Sequence, residues 1–246
     1  MNARIPFFAA IAAIIAAGWA AGAAEMPLKV HMISGSKEYR SHESLARLRE
    51  YLEKERIATC TISAGEDGGN TLPGIEALDQ ADVLVVFCRR MKLPDDQLEH
   101  IKKWCAAGKP VIGIRTASHA FQTWLEFDRQ VLGGDYRGHG GSEQWKIAVE
   151  EKNSAHPVLA GVRPWERRGT IYNNPSPASD IVVLLTVAGA KGSQPLAWAR
   201  VYDAKNNGRA FYTSAGYPED FAEESFLRML ANAVLWTAGR NVPPAR

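Results

Sequence analysis

Short apolar runs alternate with amphipathic stretches in the first half of the chain. Four of these runs have the length and β-branched content of buried strands: residues 28–33, 57–63, 82–88 and 111–114. Helices are predicted from Ser41 to about Arg56, where leucines recur on one face, and from Pro94 to Gly108. Continuous apolar strands that alternate with helices are typical of a sheet covered on both faces. The pattern therefore predicts a single-domain α/β fold with a doubly wound, mostly parallel sheet.

The second half of the chain continues this pattern. A helical stretch is predicted to follow the fourth strand as far as Leu132, and a glycine-rich loop then covers residues 133–141. Apolar runs predict further strands at residues 146–150, 181–187, 196–202 and 209–213. The last two are joined by Asp203–Gly208, which carries the residues of a hairpin turn. A closing helix is predicted from Glu219 to Ala238.

The amino terminus has the pattern of a targeting segment. Arg4 precedes an apolar stretch over residues 5–21, and small residues end at Ala24. This arrangement predicts a secretory signal peptide over residues 1–24, with an uncleaved membrane anchor as the alternative. We therefore expect a periplasmic or secreted protein without a stable membrane span after cleavage, with one domain over residues 25–240 and a flexible tail over residues 241–246.

Composition narrows the classes of partner. The chain of 246 residues is 46% hydrophobic and 23% charged, as expected for a soluble globular domain. Its net charge of +2 and lack of a basic run argue against a nucleic acid as partner. An oligomer is possible.

The three cysteines, Cys60, Cys88 and Cys105, lie in apolar settings, so we expect small buried side chains, although an odd count also permits pairing between chains.

The strand at residues 111–114 ends abruptly in a polar turn that leads into a helix. Such an elbow presents one side chain at the carboxyl edge of a parallel sheet, where many hydrolases hold a Ser or Cys nucleophile. This chain has Arg115 there. A guanidinium at this position could bind a carboxylate, a phosphate or a sugar oxygen. The alternative is a structural ion pair with Glu38 or Asp135.

Other polar side chains are expected at the same edge. His119, four residues past the elbow, and His139, in the glycine-rich loop, are candidate general acids or bases. Glu38, after the first strand, is a candidate partner for His119. The alternatives are a packing residue for His119, a loop-stabilising hydrogen bond for His139 and a solvated charge for Glu38.

Four further residues are candidate ligand contacts. Tyr39 and His42 follow the first strand with Glu38, Tyr136 lies in the glycine-rich loop with His139, and Tyr172 could contribute a hydroxyl to a ligand. A metal could be held by Glu38, His42, His119 and His139, but no dense ligand spacing such as His-Glu-x-x-His is present. We therefore predict neither a bound metal nor another cofactor.

Seven motifs occur in a fixed order along the chain: ADVLVVF, GKPVIGI, VLGGDYRGHGG, HPVLAGV, PLAWARVY, GRAFYTSAG and FLRMLANAVLWTAG. In this order, over roughly residues 28–240, the chain resembles the ThuA-like (trehalose utilisation) family of the class I glutamine amidotransferase-like superfamily. The resemblance implies a flavodoxin-like sheet and a connection with carbohydrates.

The chain departs from this family at two places. Members often have a His at the elbow, where Arg115 stands, and an Asp-Glu-x-Tyr motif after the His-Pro turn, of which residues 167–172 keep only Tyr172. Glutamine hydrolysis is not expected, because it needs an activated thiol at the elbow.

Three functions remain open from the sequence. The first is an exported enzyme that acts on a sugar or sugar derivative through His119, His139 and Glu38. The second is a binding module for a carbohydrate or a partner protein, and the third is a structural role in the cell envelope.

Overall fold

The computed structural model describes residues 26–189 and 192–244. Its strands are β1 (Leu28–Gly35), β2 (Ala58–Ala64), β3 (Val83–Cys88), β4 (Val111–Ile114), β5 (Glu143–Val149), β6 (Trp165–Gly169), β7 (Val182–Gly189), β8 (Gly192–Asp203) and β9 (Gly208–Thr213). Its α-helices are α1 (Ser41–Lys54), α2 (Asp95–Ala106) and α3 (Glu224–Thr237). The predicted signal peptide lies outside the described residues.

The strands form one sheet in the order β2-β1-β3-β4-β9-β8-β7-β5-β6. Neighbours from β2 to β9 pair in parallel, and those from β9 to β6 pair antiparallel. The antiparallel part follows from the short turn at Asp203–Gly208 and from the close succession of β7 and β8, since short connections join only antiparallel strands. The α/β prediction is confirmed, with a mixed sheet.

Apolar side chains form two clusters against the sheet. Leucines of α1 and the apolar side of α3 share one cluster with Val30 and Met32 of β1. The apolar side of α2 shares the other cluster with Ile33. Because successive strand residues point to opposite faces, helices cover both faces of the parallel half. This arrangement leaves the carboxyl ends of β1, β3 and β4 as a common edge where loops meet.

Two predicted helices differ in the structure, and one strand of the structure was not predicted. The helix expected from the elbow to Leu132 is instead a 3-10 turn, Arg115–His119, and a separate π-helical turn, Asp128–Leu132. The closing helix begins at Glu224, because a 3-10 turn at Asp220–Ala222 precedes it. Strand β6 was not predicted, since its residues are mostly charged. In the described part of the chain, no helix has the length and apolar character needed to cross a membrane.

Candidate functional site

The predicted elbow is present at the carboxyl end of β4. Arg115 has φ = 45°, a left-handed backbone conformation that costs a residue with a side chain about 1–2 kcal/mol. The phenol of Tyr212 donates to the Arg115 carbonyl at 2.8 Å, and the Ser118 hydroxyl donates to it at 3.3 Å. The two hydroxyls therefore hold the elbow in its strained conformation.

The Arg115 side chain points into the protein and is completely buried. Its Nη1 donates to the Ser214 carbonyl at 2.5 Å, and its Nη2 donates to Thr170 Oγ1 at 2.8 Å and Tyr39 Oη at 3.2 Å. The ion pair with Glu38 or Asp135, which was the alternative for Arg115, does not form among the described residues. The guanidinium is enclosed by protein groups, so the predicted ligand contact is not available to it in this conformation.

Three tyrosine rings surround this guanidinium. Its central carbon lies 4.3 Å from the ring centre of Tyr39, 4.5 Å from that of Tyr172 and 4.2 Å from that of Tyr217. Burial by itself would lower the pKa of Arg115, but the surrounding phenols raise it overall. Arg115 is therefore a buried cation in a tyrosine cage, and Tyr39 and Tyr172, both buried, are walls of this cage.

A second buried cation lies beside the cage. Arg167 of β6 is paired with Asp220 at 3.3 Å and donates to the Thr170 carbonyl at 3.0 Å. The same carboxylate oxygen of Asp220 accepts the amides of Gly216 at 2.8 Å and Tyr217 at 2.9 Å. Burial is the main reason why the pKa of Arg167 is lowered. Arg115 and Arg167 thus belong to an internal polar network.

His119 lies outside the cage, in the loop region at the same edge. Its ring stacks on Tyr136, with ring centres 4.5 Å apart and planes 16° from parallel. Its Nδ1 lies 3.0 Å from Ser118 Oγ. Burial, together with nearby arginines, lowers the pKa of His119 to about 3. The imidazole is therefore neutral near pH 7 and is a weak general base, which favours a stacking and hydrogen-bonding role.

The arginines that act on His119 come from neighbouring loops. They are, in order of effect, Arg90, Arg89 and Arg115. The Arg90 amide donates to the His119 carbonyl at 2.9 Å, which fixes the turn after β3 against the elbow. The side chain of Arg89 is paired with Asp67 at 3.1 Å and with Glu38 at 3.7 Å.

A cleft of about 660 Å³ opens beside His119. Its walls include the following polar or aromatic residues: Ser118, His119, Asp128, Asp135, Tyr136 and Arg137. His139 is exposed in the neighbouring loop, where its Nδ1 lies 2.9 Å from the Gly140 carbonyl and its ring centre lies 6.4 Å from that of Tyr172. The structure thus brings His119 and Tyr136 together at one cleft, with His139 nearby.

Glu38 and His42 lie farther along the same edge. Glu38 accepts a hydrogen bond from Tyr39 Oη at 2.8 Å and so reaches Arg115 through that phenol. Burial raises the pKa of Tyr39 to about 12, which keeps this donor protonated. His42 lines a different cleft, of about 650 Å³, at the start of α1. Within the described residues, no three His, Cys, Asp or Glu side chains form a group able to hold a metal.

Asp128 is a cleft residue that the sequence did not indicate. Its carboxyl is buried, and Oδ2 accepts the Tyr136 amide at 3.0 Å. Burial is the largest of the effects that raise the pKa of Asp128 to about 6. A signal was present in Gly133 and Gly134, since a glycine pair permits a close approach between backbone and side chain. A Cβ placed on Gly134 would overlap Oδ1 of Asp128.

The cysteines are all free in the described part of the chain. Cys88 and Cys105 are buried, and burial raises the pKa of both thiols above its ordinary value. Cys60 is partly exposed, and burial raises its thiol pKa to about 12. A reactive thiolate is therefore not expected at this edge of the sheet.

The fold and site define an α/β protein of the amidotransferase-like class, with a loop-lined cleft at the carboxyl edge of its parallel strands and no nucleophile at the elbow. The chain belongs to the ThuA family, described as trehalose utilisation, whose model matches residues 29–237. This confirms the family resemblance of the sequence motifs.

Two crystal structures of ThuA-like proteins share the fold. One, from Parabacteroides merdae, has 19% sequence identity and a TM-score of 0.69, covering 89% of this chain and 93% of its own. The other, from Bacteroides uniformis, has 18% identity and a TM-score of 0.68, covering 93% of this chain and 98% of its own. No curated protein matches this chain by sequence.

Proposed function

We propose that this ThuA-family protein is exported and binds a sugar or sugar derivative in the cleft beside His119 and Tyr136. The observation that carries the proposal is the stacked His119–Tyr136 pair, which lines an open cleft together with hydroxyl and carboxyl groups. Aromatic rings beside a few fixed polar groups are the usual composition of a small-molecule site. The family description, trehalose utilisation, supports a carbohydrate as the ligand. The amino-terminal sequence pattern supports export.

Binding is better supported than catalysis by the three acid–base residues expected from the sequence. The pKa of His119, about 3, is far below that of an effective base near neutral pH. Glu38 is already bonded to Tyr39 and close to Arg89. His139 is exposed and has its Nδ1 against a backbone carbonyl. The same cleft would serve an enzyme only with a different proton-transfer group.

A thermal-shift screen tests the proposal. The panel holds glucose, trehalose, keto-sugars and sugar acids, each with and without divalent metal ions. A ligand at a hundredfold excess over its dissociation constant stabilises the folded protein by about 2.7 kcal/mol, which raises the Tm measurably. We expect the shift to disappear in Tyr136→Ala, since the aromatic wall is lost.

Tyr51→Ala is the matched control, because Tyr51 lies on α1 and not in the cleft. This variant should keep the ligand-induced shift even if its own Tm falls. An unchanged shift in Tyr136→Ala would place the ligand elsewhere. The absence of any shift across the panel would contradict sugar binding and favour a partner-protein or structural role.

A further inference from the structure

Asp128 lines the cleft, and one of its carboxylate oxygens has no hydrogen-bond donor in the described part of the chain. Asp128 is 7% exposed, and its Oδ1 finds no partner within residues 26–189 and 192–244. A buried carboxylate oxygen without a donor is costly, and native proteins rarely leave one without a reason. A ligand that supplies the donor is one such reason.

The backbone around Asp128 holds the carboxyl of this cleft residue in one orientation. Asp128 opens the π-helical turn Asp128–Leu132, an element that is often found at functional sites. The Tyr136 amide holds the other oxygen, Oδ2, so the carboxyl cannot rotate freely. Gly134 packs against Oδ1 where any side chain would collide with it. Since Ser118, His119 and Tyr136 line the same cleft, a ligand stacked on the rings would lie next to the carboxyl.

The charges near Asp128 leave its carboxyl unpaired. Arg129 and Arg137 act to lower its pKa, and Asp135 acts to raise it. Arg137 is paired with Asp135 at 2.8 Å, and Arg129 donates to the Ser176 carbonyl. On the inner side, the titratable neighbour of Asp128 is the buried phenol of Tyr212. Burial raises the pKa of this phenol most, and the charge of Asp128 raises it further. No cation forms an ion pair with Asp128 among the described residues.

We infer that Oδ1 of Asp128 accepts a hydrogen bond from a hydroxyl of an uncharged sugar, and that binding favours the ionised carboxylate. This inference rests on the proposed function, and it names the ligand group and the ligand class. Arg129 and Arg137 also line the cleft, but an acidic sugar is disfavoured at Oδ1 itself, because its carboxylate would repel that of Asp128. A neutral sugar supplies hydroxyl donors without that repulsion.

The inference has a measurable consequence. A hydrogen bond to the ionised form of an acid lowers its pKa, so sugar binding releases a proton wherever Asp128 is protonated beforehand. With a pKa of about 6 in the free protein, a large part of this carboxyl is protonated at pH 5 and little of it at pH 7. If the bound pKa lies about two units lower, the affinity falls roughly tenfold from pH 7 to pH 5.

The experiment is isothermal titration calorimetry of the intact protein with glucose and trehalose as neutral probes and glucuronate as the acidic probe. Titrations at pH 7, 6 and 5, each in two buffers of different ionisation enthalpy, give both the affinity and the number of protons exchanged. We expect proton release for a neutral sugar, roughly tenfold weaker binding at pH 5 and weaker binding of glucuronate. Asp128→Asn should remove the proton release and flatten the pH dependence.

Asp79→Asn is the matched control, since Asp79 is an exposed carboxylate outside the cleft, paired with His100. The native titrations decide the question even if Asp128→Asn fails to fold. Proton uptake on binding, no proton exchange, or stronger binding of glucuronate would each overturn the inference. If Tyr136→Ala abolishes sugar binding while the native protein exchanges no proton, the inference fails and the proposed function stands. If none of the sugars binds, both fail.

Discussion

The guanidinium carbon of Arg115 lies 4.2 Å above the ring of Tyr217, and that of Arg167 lies 4.9 Å from the same ring. One tyrosine thus separates two buried cations. Burial alone would raise the pKa of Tyr217, but hydrogen bonds with Thr170 and the two positive charges lower it overall. The electron-rich ring and the polarised phenol together offset part of the cost of burying Arg115 without a carboxylate partner.

Replacing Arg115 separates the contribution of its side chain from that of its backbone. Arg115→Ala should lose about 3–5 kcal/mol of unfolding free energy, because a large buried side chain leaves a cavity and unpaired acceptors. Arg115→Gly should be about 1 kcal/mol more stable than Arg115→Ala, since glycine adopts φ = 45° without strain. Urea unfolding of both variants measures these differences.

The control for this comparison is Arg47, an exposed residue within α1. There the order should be reversed, with Arg47→Gly about 1 kcal/mol less stable than Arg47→Ala, because glycine disfavours a helix interior. If glycine were the worse residue at both positions, strain at the elbow would not be a significant contribution.

Asp220 is expected to be the most sensitive carboxylate of the network. Its Oδ2 accepts from Arg167, Gly216 and Tyr217 at once, so Asp220→Ala leaves a buried guanidinium unpaired. The expected loss is about 3–5 kcal/mol. Asp220→Asn keeps an acceptor for the two amides and should lose less. Thermal or urea unfolding gives the values.

The control is Glu224→Ala on the surface, where the pair with Arg228 is exposed and should contribute less than about 1 kcal/mol. Equal losses at Asp220 and Glu224 would contradict the interpretation of Arg167–Asp220 as a buried pair that the fold requires.

Much of the parallel half could be predicted from the sequence. Strand β4 has the predicted bounds, and β3 differs by one residue, because both are buried on both faces and therefore uniformly apolar. The turn at Asp203–Gly208 correctly predicted the β8–β9 hairpin, since its residues favour a tight turn. In these segments, local composition and final burial agree.

The candidate site could be predicted only in part, because it depends on contacts between distant segments. The Arg115 guanidinium meets Thr170 and Ser214, which lie 55 and 99 residues away in the chain. No local pattern distinguishes such an enclosed arginine from one that faces a ligand. Asp128 likewise lies in a stretch that the sequence predicts as helical, and its burial follows from the glycine-rich loop that folds over it.

His119 should make the folded protein more sensitive to acid. Its pKa is about 3 in the folded protein and 6.5 ordinarily, so the unfolded chain binds more protons between these values. The free energy of unfolding therefore falls as the pH is lowered from 6.5 towards 3, by at most about 1.4 kcal/mol per pH unit for one histidine. His31, whose pKa burial lowers to about 4, acts in the same direction.

Denaturant unfolding between pH 4 and pH 7 tests this expectation. His119→Gln should reduce the slope of unfolding free energy against pH, and His31→Gln should do so independently, with a larger reduction in the double variant. A slope that is the same in native protein and His119→Gln would show that the ring is not held neutral in the fold.

Asp128 should have the opposite effect on stability. Its pKa is about 6 in the folded protein and 3.8 ordinarily, so the folded protein binds more protons between these values. Stability is therefore lost as the pH rises through this window, and the loss persists above pH 6. Asp128→Asn removes the ionisation and keeps an acceptor for the Tyr136 amide. The difference in unfolding free energy between the variant and the native protein should therefore shift by about 2 kcal/mol in favour of the variant from pH 4 to pH 8.

Unfolding at pH 4 and pH 8, with Asp79→Asn as the exposed control, measures this gain. A carboxyl that weakens the fold near neutral pH is expected where the group is kept for a ligand, because stability and function then make opposite demands. The same variant should lose the proton release that we expect on sugar binding. If Asp128→Asn were equally destabilised at both pH values, the carboxyl would instead serve the fold, and its unpartnered oxygen would need another explanation.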